Sequence, residues 1–302
     1  MATVTENIVQ LQLRDRRQRL ETALQKAPGT AQFERLLGEV DAALARVDAG
    51  SYGLCEVCHD TIEQDLELAG RIQRGLLPEH DLAHNGWEIH YRYEPAGPVS
   101  GDYCDVVRPA GDAGNLYFLF GDVSGKGVPA AILMAHLHAT FRSLVAADFS
   151  AEQLVERANR VFRESTLSPY FATLVVGRAA ASGDLEICNA GHWPPLLLSG
   201  GKVTAVDPTG LPVGTFYSAN YSSRHLALAP GDALVLYTDG LSEARDRSGA
   251  EYGAERLRNV LVSSPHLGPR ELASACLDDL ATHLQGAKKA DDLTLMVVRR
   301  AT

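Results

Sequence analysis

Aspartates that stand beside glycine or another aspartate recur where apolar segments of this 302-residue chain end. A carboxylate at the end of a rigid strand is held in place, and a neighbouring glycine leaves room for a cation, its water and a backbone carbonyl. Several such carboxylates would suit hard cations such as Mg²⁺ or Mn²⁺, which prefer oxygen ligands. The candidates in chain order are Asp102, Asp122, Asp239, Asp291 and Asp292.

Two hard cations in such a cluster could activate a water molecule and neutralise a phosphoryl group. Hydrolysis of a phosphate ester is the chemistry that this pattern favours, because that slow reaction depends on electrostatic stabilisation. The alternative is structural, since Gly-Asp and Asp-Gly are common turn dipeptides. Spacing alone leaves both interpretations open.

The glycine-rich segment Gly121–Gly127 fits other phosphate-binding motifs poorly. It is one residue short of a P-loop and has Gly127 where a Ser or Thr would hold Mg²⁺. Gly125–Ala130 imitates a dinucleotide-binding fingerprint, but a helix rather than the required strand is predicted after Asp148. No G-x-S-x-G nucleophile elbow is present. These classes of site are therefore not favoured.

The composition disfavours several classes of protein. A net charge of −10 opposes a nucleic-acid groove, which needs clustered Lys and Arg. No run of 18 apolar residues occurs, and the first 25 residues carry several arginines instead of the apolar core of an export signal. The five cysteines do not have the spacing of a disulfide framework. We therefore expect a cytoplasmic protein that binds neither nucleic acid nor membrane.

Short apolar runs that end at Gly, Asp or Pro predict strands that could position these aspartates. The predicted strands are Glu88–Tyr93, Tyr103–Val107, Leu116–Phe120, Ala172–Arg178, Leu185–Asn189, Pro195–Leu198, Ser223–Leu228, Ala233–Tyr237 and Leu293–Arg299. The turn Leu228–Asp232 predicts a hairpin between two of them. Predicted helices cover Pro129–Ala146, Ala151–Glu164, Glu255–Ser263 and Pro269–Gln285. Because the helices are grouped between runs of strands, the pattern indicates an α+β fold.

The first 50 residues predict a helical hairpin. An apolar stripe from Phe33 to Val47 has helical spacing, and Ala27-Pro28-Gly29 separates this helix from an earlier, more charged one. Gln64–Leu77 predicts a further helix that ends at Pro78. The predicted organisation is a helical hairpin with a C-x-x-C turn over residues 1–62, a linker helix over 63–78 and a larger domain over 79–302.

From about Asp65 to its C-terminus the chain resembles the metal-dependent serine/threonine phosphatases related to protein phosphatase 2C. The bacterial branch of RsbU and the stage II sporulation phosphatase is the most similar. The resemblance rests on six motifs in the family's order, which lie at Ala69–Pro78, Ser100–Tyr103, Gly121–Gly127, Asn189–Pro195, Tyr237–Gly240 and Asp291–Thr294.

The resemblance implies a two-sheet β-sandwich flanked by helices, with two Mn²⁺ or Mg²⁺ ions between the sheets. Asp122 would bridge both ions, Val123 would lend its backbone carbonyl, and Asp122 and Asp239 would be the catalytic residues. Asp102, Asp239 and Asp291 would complete the metal site, with Asp292 as a neighbour that could also take part. The implied activity is hydrolysis of phosphoserine or phosphothreonine by direct attack of metal-activated water. The implied substrate is a phosphorylated regulator of the anti-sigma-factor antagonist type.

Two positions depart from the family. Ser124 stands where eukaryotic relatives have a histidine that is a candidate general acid, and Lys126 stands where many bacterial relatives have a histidine. The general acid is therefore unassigned, and Lys126 could bind the phosphate or face solvent. His192 is expected to be a structural turn histidine. The missing histidine keeps open a pseudophosphatase that binds its partner without turnover.

Cys55 and Cys58, with the helix before them, resemble the first half of a DksA/TraR-type zinc finger. A structural zinc site needs four ligands, and the second C-x-x-C is missing. His59, His80 and His84 lie nearby in sequence, so zinc, a relic turn and free thiols stay open, as does a polymerase-binding regulator. We expect the front segment to form a homodimer and to regulate the phosphatase, with Ile72, Leu76 and Leu77 docking on the larger domain.

Overall fold

The computed structural model of the chain describes residues 4–27, 30–109, 114–166 and 169–302. They divide into two compact units, with the division after Asp65. In the first unit, α1 (Val4–Lys26) and α2 (Ala31–Asp48) form the predicted hairpin, joined by Arg17 Nε, which donates to Asp41 at 2.7 Å. The predicted break at Pro28-Gly29 lies outside the described residues.

The second unit is built on two antiparallel sheets. The six-stranded sheet has the order β1 (Asp81–His84), β2 (Trp87–Glu94), β11 (Leu293–Arg300), β10 (Ala233–Tyr237), β7 (Leu196–Ser199) and β8 (Lys202–Ala205). The five-stranded sheet has the order β3 (Asp102–Val107), β4 (Leu116–Val123), β5 (Ala172–Ala179), β6 (Asp184–Ala190) and β9 (Arg224–Ala227). The predicted α+β fold with a two-sheet sandwich is confirmed.

Three apolar clusters hold the layers together. The first packs α4 (Val128–Val145) and α5 (Ala151–Ser165) on the five-stranded sheet. The second lies between the two sheets, and the third packs α7 (Ala254–Ser263) and α8 (Pro269–Leu284) on the six-stranded sheet. Because both faces of the central strands are covered, β4 is a nearly continuous apolar run rather than an alternating one.

One predicted connection is wrong. The turn Leu228–Asp232 does not form a hairpin, because β9 pairs with β6 in one sheet whereas β10 pairs with β7 and β11 in the other. The turn therefore carries the chain from one sheet to the other. Leu228 N donates to Gly183 O and Arg300 N donates to Asp232 O, so each end of the turn is held by a different sheet. A turn sequence fixes the reversal of the chain, but the partner of each strand depends on distant residues.

Helix α4 has an unusually apolar composition. Among the described residues it alone is long and apolar enough to cross a membrane by length and composition. Its side chains Ala130, Met134, Leu137 and Phe141 are buried in the first cluster. We therefore assign α4 as a core helix.

The end of helix α3 (Ile62–Arg74), which belongs to the second unit, is packed through residues other than those expected. Ile72 is 63% exposed, whereas Leu77 packs against two of the apolar clusters. The buried contact is made by Gln73, whose Nε2 donates to Ser100 O at 2.7 Å and whose Oε1 accepts from Ser100 N at 3.0 Å. The expected docking by Ile72 is thus wrong, and a polar residue of the next helical position takes its place.

Candidate metal centre

The sequence-predicted aspartates line one cavity of about 520 Å³. They come from distant parts of the chain and from both sheets. The charged side chains that line the cavity are Asp102, Asp122, Asp239, Asp291, Asp292 and Lys126. Phe171, Thr173, His192 and Trp193 form its remaining side-chain wall, together with Ser124 and Pro194.

Strand register places two of the carboxylates side by side. Asp102 begins β3 and is the direct partner of Asp122 near the end of β4, so both side chains lie on the same face of the sheet. Directly opposed residues of neighbouring strands have Cβ atoms about 4.5–5.5 Å apart, and like charges there repel. Asp102 is buried and Asp122 is partly buried. A positive charge beside Asp102 and Asp122 would therefore stabilise this pair.

Two threonines of the six-stranded sheet hold Asp102 across the sandwich. Asp102 Oδ2 accepts from Thr294 Oγ1 at 2.5 Å and from Thr238 Oγ1 at 3.1 Å. Thr294 N in turn donates to Thr238 Oγ1 at 2.9 Å. Both threonines lie within sequence motifs that contain the aspartates, but the sequence pattern alone gave neither of them a role.

Asp239 reaches the cavity from the first position of the short helix α6 (Asp239–Ser242), which directly follows β10 and Thr238. Gly240 allows this helix to lie against the segment that carries Asp291 and Asp292. A Cβ atom on Gly240 would overlap the carbonyl oxygen of Asp292. Glycine at this position therefore lets two acidic segments approach each other.

Asp291 and Asp292 play different parts in the site. Asp292 Oδ1 accepts from Ala96 N at 2.7 Å and its Oδ2 accepts from Gly101 N at 3.1 Å, so this carboxylate ties down the loop before β3. Asp291 Oδ2 instead accepts from Lys126 Nζ at 2.7 Å. Asp291 Oδ1 also accepts from Asp292 N at 3.1 Å, so Asp291 differs from Asp292 in having an ammonium group as a partner of its carboxylate.

The backbone carbonyl of Val123 also borders the site. A Cβ atom on Gly101 would lie 3.0 Å from Val123 O and 3.2 Å from Asp122 Oδ1. Glycine therefore leaves space beside both oxygens. Ser124, the next residue, is hydrogen-bonded to the backbone of Phe171. Its Oγ accepts from Phe171 N at 2.9 Å and its N donates to Phe171 O at 2.9 Å.

The carboxylates raise one another's pKa. Burial and the charge of Asp122 raise the pKa of Asp102 well above its ordinary value. Burial, together with the charges of Asp239 and Asp291, raises the pKa of Asp122 to about 7. The pKa of Asp239 is also raised, first by burial and then by Asp291. In each case burial is the largest cause of the raised pKa, and the charge of a neighbouring carboxylate adds to it.

The donor set fits hard divalent cations. All the candidate ligands are oxygens, and the mutual repulsion among them would be relieved by cations, as the Lys126 ammonium already does for Asp291. Within the described ranges, however, no three His, Cys, Asp or Glu side chains already converge as a preformed metal site.

His192 is buried and is held at both ring nitrogens. Its Nδ1 lies 2.8 Å from Thr173 Oγ1 and its Nε2 lies 3.1 Å from Tyr237 O. Burial lowers its pKa to about 4. The ring is therefore neutral near pH 7 and links β5 to the end of β10.

The Cys55–Cys58 pair lies on a tight turn in the first unit. Cys55 N donates to Asp60 O at 2.8 Å, and His59 N donates to Cys55 O at 2.9 Å. Backbone hydrogen bonds from Cys58 and Val57 lower the pKa of the Cys55 thiol. Both thiols are free, and the described part of the chain supplies no group of three metal ligands there.

This chain matches a known protein family and is similar to characterised proteins. Residues 112–301 match the model of the family described as stage II sporulation protein E. IcfG of Synechocystis is 28% identical over 265 residues, which cover 78% of this chain but 41% of IcfG. The phosphoserine phosphatase RsbU of Bacillus subtilis is 27% identical over 259 residues, which cover 82% of this chain and 76% of RsbU. The chain thus spans about two fifths of the length of IcfG.

Among solved structures, the PP2C domain of SiaA from Pseudomonas aeruginosa has the same fold. It superposes with a TM-score of 0.69 at 22% identity, over 79% of this chain and 96% of that domain.

Proposed function

Because this chain belongs to the stage II sporulation protein E family, we propose that it is a metal-dependent phosphoserine/phosphothreonine protein phosphatase. The observation that carries the proposal is that Asp102, Asp122, Asp239 and Asp291 line one cavity. Burial, and after it the charges of neighbouring carboxylates, raise the pKa values of Asp102, Asp122 and Asp239. A dephosphorylating enzyme needs positive charge at this position, and these carboxylates are arranged to hold it.

Asp102, Asp122, Asp239 and Asp291, with the carbonyl of Val123, are the residues that would hold the cations, and Asp122 and Asp239 are central. Asp292 would support the site by fixing the loop at Ala96 and Gly101. When bound, two Mn²⁺ or Mg²⁺ ions would supply Lewis acidity and an activated water for direct attack on phosphorus. Thr238 and Thr294 fix the orientation of the Asp102 carboxylate, which limits its freedom before any cation arrives.

Lys126 is the candidate phosphate-binding residue. Its ammonium now contacts Asp291 Oδ2 and Ala290 O, and it is largely exposed on a flexible stem. A cation beside Asp291 would repel this ammonium and free it to meet a phosphoryl oxygen. Ser124 and His192 are poor candidates for the general acid, because both are held by hydrogen bonds within the protein.

The deciding experiment is a phosphatase assay on a phosphoserine peptide, with and without Mn²⁺ or Mg²⁺. We expect turnover only with metal, and loss of at least about 100-fold in kcat for Asp239→Asn. Asp278→Asn, at an exposed position of α8, is the matched control and should leave the rate unchanged. A wild-type rate in Asp239→Asn would show that this cavity does not take part in the reaction.

The same experiment separates the second candidate, a catalytically weak pseudophosphatase. Ser124 at the position of a family histidine favours that alternative, because proton delivery to the leaving serine oxygen then has no assigned donor. Metal-dependent binding of the phosphopeptide without turnover would support it. By family likeness we propose a phosphorylated regulator of the anti-sigma-factor antagonist type as the natural substrate, and the cytoplasm as its compartment.

We further propose that residues 1–62 form a regulatory and dimerising segment that resembles half of a DksA/TraR zinc finger. The exposed apolar side chains of Leu11 and Val57 support an interaction surface there. Metal analysis of freshly purified protein tests zinc at Cys55 and Cys58, and sedimentation of a chain lacking residues 1–50 tests the dimer. A pull-down with RNA polymerase tests the remaining alternative, a polymerase-binding regulator.

A further inference from the structure

Five large apolar side chains next to the carboxylate cavity are exposed. We call them the apolar rim, and they are between 37% and 63% exposed. Single exposed apolar residues are common on protein surfaces, but a rigid group beside a charged cavity is not. The rim consists of Phe171, Trp193, Leu211, Phe216 and Tyr217.

Two members of the rim belong to the cavity wall itself. Phe171 is fixed to the glycine-rich loop by its two backbone hydrogen bonds with Ser124, at 2.9 Å each. Trp193 stacks on Tyr237 with the ring centroids 6.5 Å apart and the planes 29° apart. Since Tyr237 leads through Thr238 to Asp239, both exposed rings are mounted on the segments that carry the carboxylates.

The other three members lie on a loop that is joined to Phe171. Ala172 and Val213 exchange both backbone hydrogen bonds at 2.8 Å, which places the loop beside the start of β5. Asn159 then fixes the loop from below, because its Nδ2 donates to Phe216 O at 2.9 Å and its Oδ1 accepts from Gly214 N at 2.8 Å.

Arg163 also contacts this loop. It donates to Gly214 O at 3.1 Å and lies over the Tyr217 ring, with 5.3 Å between the guanidinium carbon and the ring centroid. The backbone of the loop is thus ordered by buried polar contacts while its large side chains face solvent. A loop whose backbone is ordered before binding loses little conformational entropy when a partner binds.

The carboxylate cavity and the rim suit different parts of a phosphoprotein. The cavity is charged and matches a phosphate through cations, but it offers little to the neighbouring residues of the polypeptide. Exposed, well-ordered aromatic side chains are the groups that contribute most to protein binding. Continuity through Phe171 and Trp193 means that a phosphoserine in the cavity would bring its flanking residues onto the rim.

We propose that the apolar rim binds the residues that flank the phosphoserine and selects substrates with apolar side chains there. This inference rests on the proposed phosphatase function and adds the chemical class of its substrate. The occupant is the segment of the phosphorylated protein next to its phosphoserine.

The test uses two phosphoserine peptides of equal length and charge, one flanked by Leu and Ile and one by Ser, together with p-nitrophenyl phosphate. We expect kcat/KM of the wild-type protein to favour the apolar peptide by about tenfold or more. Phe216→Ala and Trp193→Ala should each reduce that preference several-fold. Val262→Ala, at a 46% exposed position of α7, is the matched control and should preserve it.

Equal kcat/KM for the two peptides in the wild-type protein would overturn the inference. So would rim variants that slow both peptides and p-nitrophenyl phosphate by one common factor, since that result indicates damage to the cavity. Thermal unfolding of each rim variant shows whether it is folded. Tyr217→Ala provides a further rim variant in case one of the others does not fold. Calorimetry of the same two peptides, with serine in place of phosphoserine, on the wild-type protein measures the preference of the rim without metal or turnover. A failure of the phosphatase proposal and a failure of the rim are therefore distinguishable.

Discussion

Asp102 and Asp122 carry like charges at directly opposed positions of β3 and β4, an arrangement that weakens a sheet unless something positive lies between them. Desolvation adds to the cost, because Asp102 is fully buried. A protein keeps such a pair when function requires it, and relief of the repulsion in the metal-free state should therefore stabilise the fold.

The first prediction concerns Asp122→Asn. We expect the metal-free variant to be more stable than the wild-type protein by about 1–3 kcal/mol at pH 8, because burial and the charges of Asp239 and Asp291 both disfavour the ionised Asp122 carboxylate that the substitution removes. Urea unfolding in the presence of EDTA checks this, and the same variant should lose metal-dependent turnover. A less stable metal-free variant would show that Asp122 is held by contacts rather than strained by charge.

The second prediction concerns His192 and pH. Burial lowers its pKa to about 4, from an ordinary value of 6.5. Between these values the unfolded chain binds a proton that the folded chain does not, so stability is complete above pH 6.5 and falls as the pH decreases. The loss should be about 1.4 kcal/mol per pH unit in this window.

His192→Gln removes the titrating group and should flatten that dependence by one proton. Urea unfolding at several values between pH 5 and pH 7 measures it for both proteins, with unchanged m values as the control for the denatured state. Parallel curves for the two proteins would mean that His192 does not titrate differently on folding.

At the scale of elements, the approach of α6 to the start of β11 is what brings Asp239 and Asp291 together. The third prediction is that Gly240→Ala pushes these segments apart, because the new Cβ would overlap Asp292 O. A displacement of about 1 Å near a reacting centre can cost about 100-fold in rate, so we expect at least that loss in kcat.

Gly38→Ala is the control for this glycine substitution. No atom lies within 4 Å of a Cβ added there, and its position inside α2 predicts a gain of up to about 1 kcal/mol in stability. Near-normal activity in Gly240→Ala would show that the two acidic segments can separate without consequence.

The elements also show how far sequence reasoning extends. Long buried runs such as β4 and β11 were predictable because their apolar character exceeds that of any loop. Strands β1 and β8 were missed because each has only four residues and a polar-rich pattern. The aspartates were found from local glycine patterns, whereas Thr238 and Thr294 were not, because their bonds to Asp102 depend on the packing of two sheets.

At the scale of the whole unit, the candidate ligands are divided between the sheets. Asp102 and Asp122 belong to the five-stranded sheet, and Asp239 and Asp291 adjoin strands of the six-stranded sheet. Cations held by both sets would link the two halves of the sandwich, and binding to the folded state alone stabilises it by mass action.

The fourth prediction follows from that division. Mn²⁺ at 100 times its dissociation constant should stabilise the wild-type protein by about 2.7 kcal/mol, and it should do so much less in Asp239→Asn. Thermal unfolding over a range of Mn²⁺ concentrations tests this, with Ca²⁺-free buffer and EDTA as the reference. A midpoint that does not depend on Mn²⁺ would indicate that the carboxylates do not bind it in the folded state.

The paired hydrogen bonds between Gln73 and Ser100 have a consequence for the position of the carboxylates. The side-chain amide of Gln73 pairs with the backbone of Ser100 as a neighbouring strand would, with one donor and one acceptor. Ser100 leads directly into Gly101 and Asp102. Gln73 lies on the part of helix α3 that belongs to the second unit, so a displacement of this part of the helix would break both bonds and loosen the segment that leads to Asp102. Leaving the two buried backbone groups of Ser100 unpaired would cost about 1–3 kcal/mol each, so the position of Asp102 depends on a side chain outside the carboxylate cavity.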